Sequence, residues 1–387
     1  MSYEITGYRP INLTQGLDFN PEWFTETRET YKRTGKYCQY PVGSKAYCDF
    51  WTEQYNRCRN GYTVNGYTIT GDHYFFLNFY QLANLDTIKA GQGREMDFPS
   101  FYVAQYEWFH YLELCKVTRK NAVLMKARGV GFSEMDAALA ANNYSCRPNS
   151  NTIISANLSK YVEDTLAKTW NALSFLNECT EGGFRKLRQV VDTAMCKRAS
   201  HYKMIDGQKV ECGFKSQIKG IIADSPNKIR GDRSDCLLYE ELGSWEDSVK
   251  AFIQGDALVG IQGVTFGIKI GGGTGGDSGS KLEGLRTIYY DPEAFNVLPY
   301  RHRFTQSGEQ VLTAYFIPAF TVVKGDAMDK RGYTNPIKGK EYYDKKRAAF
   351  SKNPRHLIVY CAEYCYNAEE AFSLEGENKF DKVLIAE

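Results

Sequence analysis

No stretch of about 20 apolar residues runs through the 387-residue sequence, which excludes a transmembrane helix. The N-terminus, MSYEITGYRPINL, has no basic start followed by an apolar run and does not read as a signal peptide. There is no internal repeat of fixed period and no low-complexity tract. Charge of one sign is not in excess: 48 Lys and Arg against 46 Asp and Glu leave +2. No global basic field points to nucleic acid, so any such surface has to be local. The 11 cysteines are odd in number and scattered, which argues against a disulfide framework and for reduced thiols in a cytoplasm. Cys38, Cys48 and Cys58 lie too far apart for a zinc knuckle. Cys196, His201 and Cys212 lack the close pair spacing of a zinc site.

Hydrophobic residues make up 43% of the chain and charged residues 24%, enough for full cores and incompatible with general disorder. The length predicts two to three domains at about 150 residues each. Aromatic content is high at 14%, with 28 Tyr and 22 Phe. Residues 1–95 are an aromatic-rich lead-in, expected to pack on the rest of the chain and carrying no catalytic motif. Within it, Asn60 to Gly71 predicts a small β-hairpin, His73 to Leu85 an apolar helix, and Asp86 to Arg94 a connecting loop. Strands then alternate with helices. Phe101 to Val117 predicts a helix, Asn121 to Ala127 a buried strand, Ser133 to Asn143 an Ala-rich helix and Thr152 to Ala156 a strand. Ser159 to Asn177 predicts an amphipathic helix capped by Ser159. Cys236 to Tyr239, Val264 to Ile270 and Tyr315 to Phe320 predict further strands. This alternation argues for an α/β fold with a largely parallel sheet.

Three segments carry chemistry. Lys126-Ala127-Arg128-Gly129-Val130-Gly131-Phe132-Ser133 lies between a strand and a helix, where a phosphate loop belongs. Phe132 stands where such loops place lysine, so positive charge has to come from Lys126 or Arg128, while Ser133 can hold Mg²⁺. The same segment also reads as an ordinary glycine-containing turn. Asp235 to Glu241 is an apolar strand ending in two carboxylates: Glu240 suits the metal and Glu241 the attacking water. It reads equally as a strand running into a solvated acidic turn. Upstream, Arg230 and Arg233 lie in a loop from which an arginine can stabilise a transferring phosphoryl group. Downstream, Gly271-Gly272-Gly273-Thr274-Gly275-Gly276 follows a strand, with Thr274 its one hydroxyl.

The order of these elements resembles the ATPase domain of large terminase subunits, the DNA-packaging motors of tailed bacteriophages, over roughly residues 95–380. The resemblance implies a phosphate-loop NTPase of the ASCE/RecA-like class, a three-layer fold around a mostly parallel sheet. It implies that Gln105 contacts adenine. Lys126 resembles the displaced lysine of the deviant Walker A loops found in some members, and Arg128 the loop arginine. With Gly129, Gly131 and Phe132 they would line the phosphate site, and Ser133 would hold Mg²⁺ together with Glu240. Glu240 stands where the family usually has Asp. Glu241 would be the catalytic acid, Arg230 an arginine finger acting on a neighbouring subunit, and Thr274 the residue coupling hydrolysis to movement. Asn367-Ala368-Glu369-Glu370-Ala371-Phe372 resembles the stretch that closes the domain, and a nuclease domain is expected after residue 387. ATP and Mg²⁺ are the implied cofactors. Double-stranded DNA, a portal protein, a small terminase subunit and further copies of the chain in a ring are the implied partners. The expected location is the cytoplasm of a bacterial host, with no membrane association and no place in the mature virion. Lys338 to Arg355 is the candidate basic surface for DNA, and also reads as a solvated helix face. A helicase-like translocase without a capsid partner and a non-hydrolysing scaffold remain the alternatives.

Overall fold

The computed structural model describes residues 20–83, 95–186, 189–223, 232–275 and 279–373. An eight-stranded sheet runs through it. Its strands in chain order are β1 (Ala122–Lys126), β2 (Asn151–Ala156), β3 (Val191–Asp192), β4 (Cys196–Ile205), β5 (Gln208–Ile222), β6 (Cys236–Tyr239), β7 (Ile268–Thr274) and β8 (Tyr315–Ile317). Their spatial order is β8-β1-β7-β6-β2-β5-β4-β3. The run from β8 to β5 is parallel, and β5-β4-β3 is antiparallel. β1, β6 and β7 are buried at every position. For β1 and β6 that burial explains the largely apolar composition, typical of strands covered on both faces. The strand before the glycine loop and the strand before the acids are separated by β7 alone. Parallel strands put their C-terminal ends on one edge, where ligands of open α/β sheets bind.

Four helices flank the site: α1 (Val103–Thr118), α2 (Phe132–Cys146), α3 (Ser159–Cys179) and α4 (Gly279–Tyr290). α2 packs against α3. Ser159 does not cap α3: the cap residue is Leu158 and makes no side-chain bond, so Ser159 is the first helical residue. Two C-terminal helices come next, α5 (Pro336–Phe350) and α6 (Pro354–Glu363), each opened by an asparagine cap and a first-position proline.

The lead-in hairpin forms, Tyr62–Val64 against Tyr67–Ile69. The apolar helix after it spans Gly71–Phe79, starting at the Thr70 cap and ending well before Leu85. Loop 86–94 lies outside the described residues. Among the described lead-in residues, Phe24, Tyr37, Trp51, Tyr67, Tyr74, Phe75, Phe76, Phe79 and Tyr80 are buried. Trp51 and Tyr55 pack on Phe184, Tyr31 on Phe175, and His73 stacks on Phe109. Polar contacts tie the same surface to the sheet's helices. Asn142 of α2 donates to the Cys58 carbonyl at 2.9 Å and to Asp72 at 2.8 Å, and Lys116 of α1 pairs with Asp72.

Two sequence expectations need correction. Val264 to Ile270 is not one strand: Val264–Thr265 forms a small hairpin with Gly260–Ile261, and β7 begins at Ile268. The first three glycines therefore do not follow the strand but belong to it. Gly271, Gly272 and Gly273 lie inside β7, because neighbours crowd them. A Cβ on Gly272 would sit 2.5 Å from the Phe132 ring, and one on Gly273 would sit 2.6 Å from Leu285. The long β4–β5 hairpin was not expected at all, since its strands lack a continuous apolar run.

Candidate functional site

At the C-terminal edge, Lys126 ends β1 and Thr274 ends β7, directly paired in register. That register explains why the lysine sits at the front of the loop: it is the last strand residue, and its side chain is buried beside the neighbouring strand's end. Lys126 Nζ donates to Thr274 Oγ1 at 2.9 Å and to Glu241 Oε1 at 3.3 Å. Thr274 Oγ1 donates to Glu241 Oε2 at 3.3 Å. Lysine, threonine and acid, drawn from three strand ends, form one closed network.

Past Lys126 the chain turns through Gly129 and Gly131, at φ +85° and +84°. The left-handed region favours glycine at both positions. Gly131 caps α2 without a side-chain bond. The first amides of this 15-residue helix have no partner within it, and its dipole favours an anion there. Phe132, in the usual lysine place, is buried, with Trp108 at a ring separation of 6.1 Å and Gly272 beneath it. It anchors the helix start to the sheet. Gln105, on α1, donates Nε2 to the Val130 carbonyl at 2.9 Å and is 5% exposed. Its amide braces the loop from behind. Arg128 is largely exposed. Its Nη2 pairs with Glu363 Oε1 at 2.8 Å and its amide donates to the Glu363 carbonyl at 2.9 Å, tying the loop to α6.

Ser133 and Glu240 meet: the hydroxyl donates to Glu240 Oε2 at 2.9 Å across 107 residues of sequence. Thr165 of α3 donates to Glu240 Oε1 at 2.9 Å. Burial pushes the Glu240 carboxyl above its ordinary range. Ser133 and Thr165 work against that shift, and Glu241 adds to it. Glu241 stands at φ +45°, ψ +52°, a left-handed turn that costs a non-glycine residue roughly 1–2 kcal/mol. Ser244 holds that turn: its amide and its hydroxyl donate to the Glu241 carbonyl at 2.9 Å and 2.8 Å. Asn157 in turn donates to the Ser244 carbonyl at 2.8 Å. The two adjacent acids are thereby split, Glu240 toward Ser133 and Glu241 toward Lys126.

The structure thus brings together Lys126, Ser133, Glu240, Glu241 and Thr274. Arg230 lies outside the described residues. Sequence reasoning missed Thr165, Asn157, Ser244 and Asp136. Asp136 carried a signal: it is a charge beside the alanine run of this helix, one turn after Ser133. It is 1% exposed, and neither carboxylate oxygen has a hydrogen-bond partner. Burial and then the charge of Glu240 push its carboxyl well above the ordinary range. Among the described residues no group of three His, Cys, Asp or Glu side chains gathers to hold a metal, so Cys196, His201 and Cys212 form no such cluster.

Of the basic stretch, Lys345, Lys346, Lys352 and Arg355 are exposed. Arg347 is not available to DNA. It makes a bidentate pair with Glu370 at 2.7 and 2.8 Å, donates to the Tyr364 carbonyl and lies 3.5 Å over the Tyr366 ring.

The fold and this strand–loop–helix site define an α/β protein with a glycine-containing loop at the C-terminal edge of its sheet. No family model and no curated protein matches the sequence. Solved structures resemble it. An arginine-to-alanine variant of the Thermus phage P74-26 large terminase ATPase domain is 15% identical, with a TM-score of 0.44, over 66% of this chain and 92% of that one. The same domain in a second structure is 13% identical, with a TM-score of 0.41, over 64% of this chain and 88% of that one. The HK97 bacteriophage large terminase is 11% identical, with a TM-score of 0.38, over 74% of this chain and 53% of that one. Each is what this chain is similar to, at low identity. No described helix is long and apolar enough to cross a membrane.

Proposed function

We propose that the chain is an ATP-hydrolysing motor domain of the large-terminase type that moves double-stranded DNA. The observation that carries this reading is the closed Lys126–Glu241–Thr274 network, set beside the Ser133–Glu240 bond at the mouth of a phosphate loop. A terminal phosphate offers Lys126 a stronger partner than Glu241, because it carries more negative charge than a single carboxylate. Lys126 swinging to the phosphate releases Glu241, which can then orient a water for in-line attack. Loop amides from Gly129 to Ser133 and the α2 dipole hold the remaining phosphate charge. Gln105 braces that loop, and Arg128 is poised to leave Glu363 for a phosphate oxygen.

The residues fit Mg²⁺: a hydroxyl and a buried carboxylate already face one another, and the unpaired oxygens of Asp136 lie one helical turn away. Ser133 and Glu240 would hold the ion, which when bound neutralises phosphate charge. Release of Thr274 from the network gives hydrolysis a mechanical outlet. Gly275 follows it, and a Cβ there would strike the Ala371 and Ala362 carbonyls at 2.3 and 2.4 Å. Strand-end movement is therefore transmitted to the C-terminal helices rather than absorbed. Arg230 is assigned to the site of an adjacent copy in a ring. DNA, a portal and a small subunit are the partners this reading requires, in a bacterial cytoplasm.

Glu241→Gln tests the reading. It should bind ATP as tightly as the unmodified chain while DNA-stimulated phosphate release falls at least a hundredfold. Unchanged turnover removes Glu241 from the chemistry. Mixing Glu241→Gln with Arg230→Ala chains should restore part of the activity through shared sites; absence of recovery at every ratio argues against action in trans.

A further inference from the structure

Asp136 is a buried carboxylate that the site described above does not use. Its carboxylate is 1% exposed and has no hydrogen bond. It lies three residues after Ser133 on α2, so the two side chains share one helix face. The Ser133 hydroxyl on that face points to Glu240. The nearby cations are committed elsewhere: Lys126 to Glu241 and Thr274, and Lys168 to Glu134 at 3.1 Å. Two carboxylates are therefore buried in one region, where the hydroxyls of Ser133 and Thr165 hydrogen-bond Glu240 alone and Lys126 and Lys168 act on Asp136 only without contact. Removing a charge from water without a partner is expensive, and a second charge of like sign compounds the cost.

We propose that Asp136 is a further protein ligand of a divalent cation, joining Ser133 and Glu240, so that the ion binds this chain without nucleotide. The donor set is one hydroxyl and two carboxylates, all hard oxygen ligands, which suits Mg²⁺ or Mn²⁺ and not a soft metal. A site with one serine and one acid depends on nucleotide phosphates to complete the ion's ligands. A second carboxylate supplies the missing charge from the protein. The proposal rests on the phosphate-loop reading above for the identity of Ser133 and Glu240 as ligands.

The test is Mn²⁺ uptake by the full nucleotide-free chain, followed through the electron-spin signal of free Mn²⁺. One Mn²⁺ should bind per chain, and Asp136→Asn, nearly isosteric, should weaken it at least tenfold. Thermal melting in chelator checks that this variant is folded, with a melting temperature at or above that of the parent. No stoichiometric uptake by the parent, or equal uptake by the variant, overturns the proposal. ATP binding in chelator is measured on the same samples. ATP bound without Mn²⁺ uptake refutes the Asp136 ligand and leaves the nucleotide site standing. Mn²⁺ uptake without ATP binding refutes the nucleotide site and leaves the cation site.

Discussion

Phe132 occupies the place where a phosphate loop usually carries lysine, and its role can be measured through the glycine beneath it. A Cβ added to Gly272 would lie 2.5 Å from two Phe132 ring carbons and 3.0 Å from a third. Ordinary contact begins near 3.4 Å, so the overlap is close to 1 Å. The ring has little room to retreat, with Trp108 packed at 6.1 Å. Overpacking of this kind costs about 1–3 kcal/mol. Gly272→Ala should therefore lower stability by about 2 kcal/mol and weaken ATP binding, because the displaced ring carries Ser133 with it. Phe132→Leu should cost about 1–2 kcal/mol alone. In the double variant the smaller side chain leaves space for the new methyl, so the costs should fall short of their sum by about 1 kcal/mol or more. Urea unfolding of all four chains, followed by tryptophan fluorescence, measures this coupling. Strict additivity would refute the assignment, since the methyl would then be meeting something other than the Phe132 ring.

Other outcomes rest on single contacts. Thr165→Val removes one of the two hydroxyl donors to Glu240, a loss of about 1.5–3 kcal/mol for a bond to a charged group. It should push the acidic limb of the pH–activity profile to higher pH, because it removes an interaction favouring the ionised carboxylate; an unmoved limb contradicts the role given to Glu240. His302 is buried, and that burial holds it neutral with its pKa down at about 4, while its Nδ1 accepts the Phe304 amide. Unfolded histidine takes up a proton near pH 6.5, so this contribution to stability is intact above that pH and is lost as pH falls toward 4. The loss should reach about 2 kcal/mol at pH 5, and His302→Gln should flatten the decline in urea unfolding across that window. Arg347→Ala should destabilise the C-terminal helices by about 2–4 kcal/mol without changing the salt slope of DNA binding. Removing both Lys345 and Lys346 should reduce that slope by about two, read from filter-binding titrations in increasing salt.

The sheet was legible because β1, β2 and β6 are short apolar runs, and a strand buried on both faces has no alternation to disguise it. Ser133 and Glu240, 107 residues apart, could be paired from the strand–loop–helix and strand–acid–acid patterns alone. The glycine run was misread because glycine density signals freedom in a sequence, whereas here it records close packing by Phe132, Leu285 and Gly243. Asp136 and Thr165 escaped because they sit in helices whose other residues fill cores, and only the fold brings them toward Glu240. The β4–β5 hairpin escaped for a different reason. Its outer residues Tyr202, Met204 and Lys209 are exposed and mix polar with apolar side chains, which gives no clean period of two.

The most direct test of the central claim is equilibrium binding of ATP to the unmodified chain and to Lys126→Ala, by calorimetry with Mg²⁺ present. Lys126 is the buried amine at the strand end, inside the site, so its removal should weaken binding at least tenfold. Arg128→Ala, which loses an exposed ion pair to Glu363, should weaken binding less. ATP binding that is absent from the unmodified chain, or unchanged in Lys126→Ala, would contradict the account.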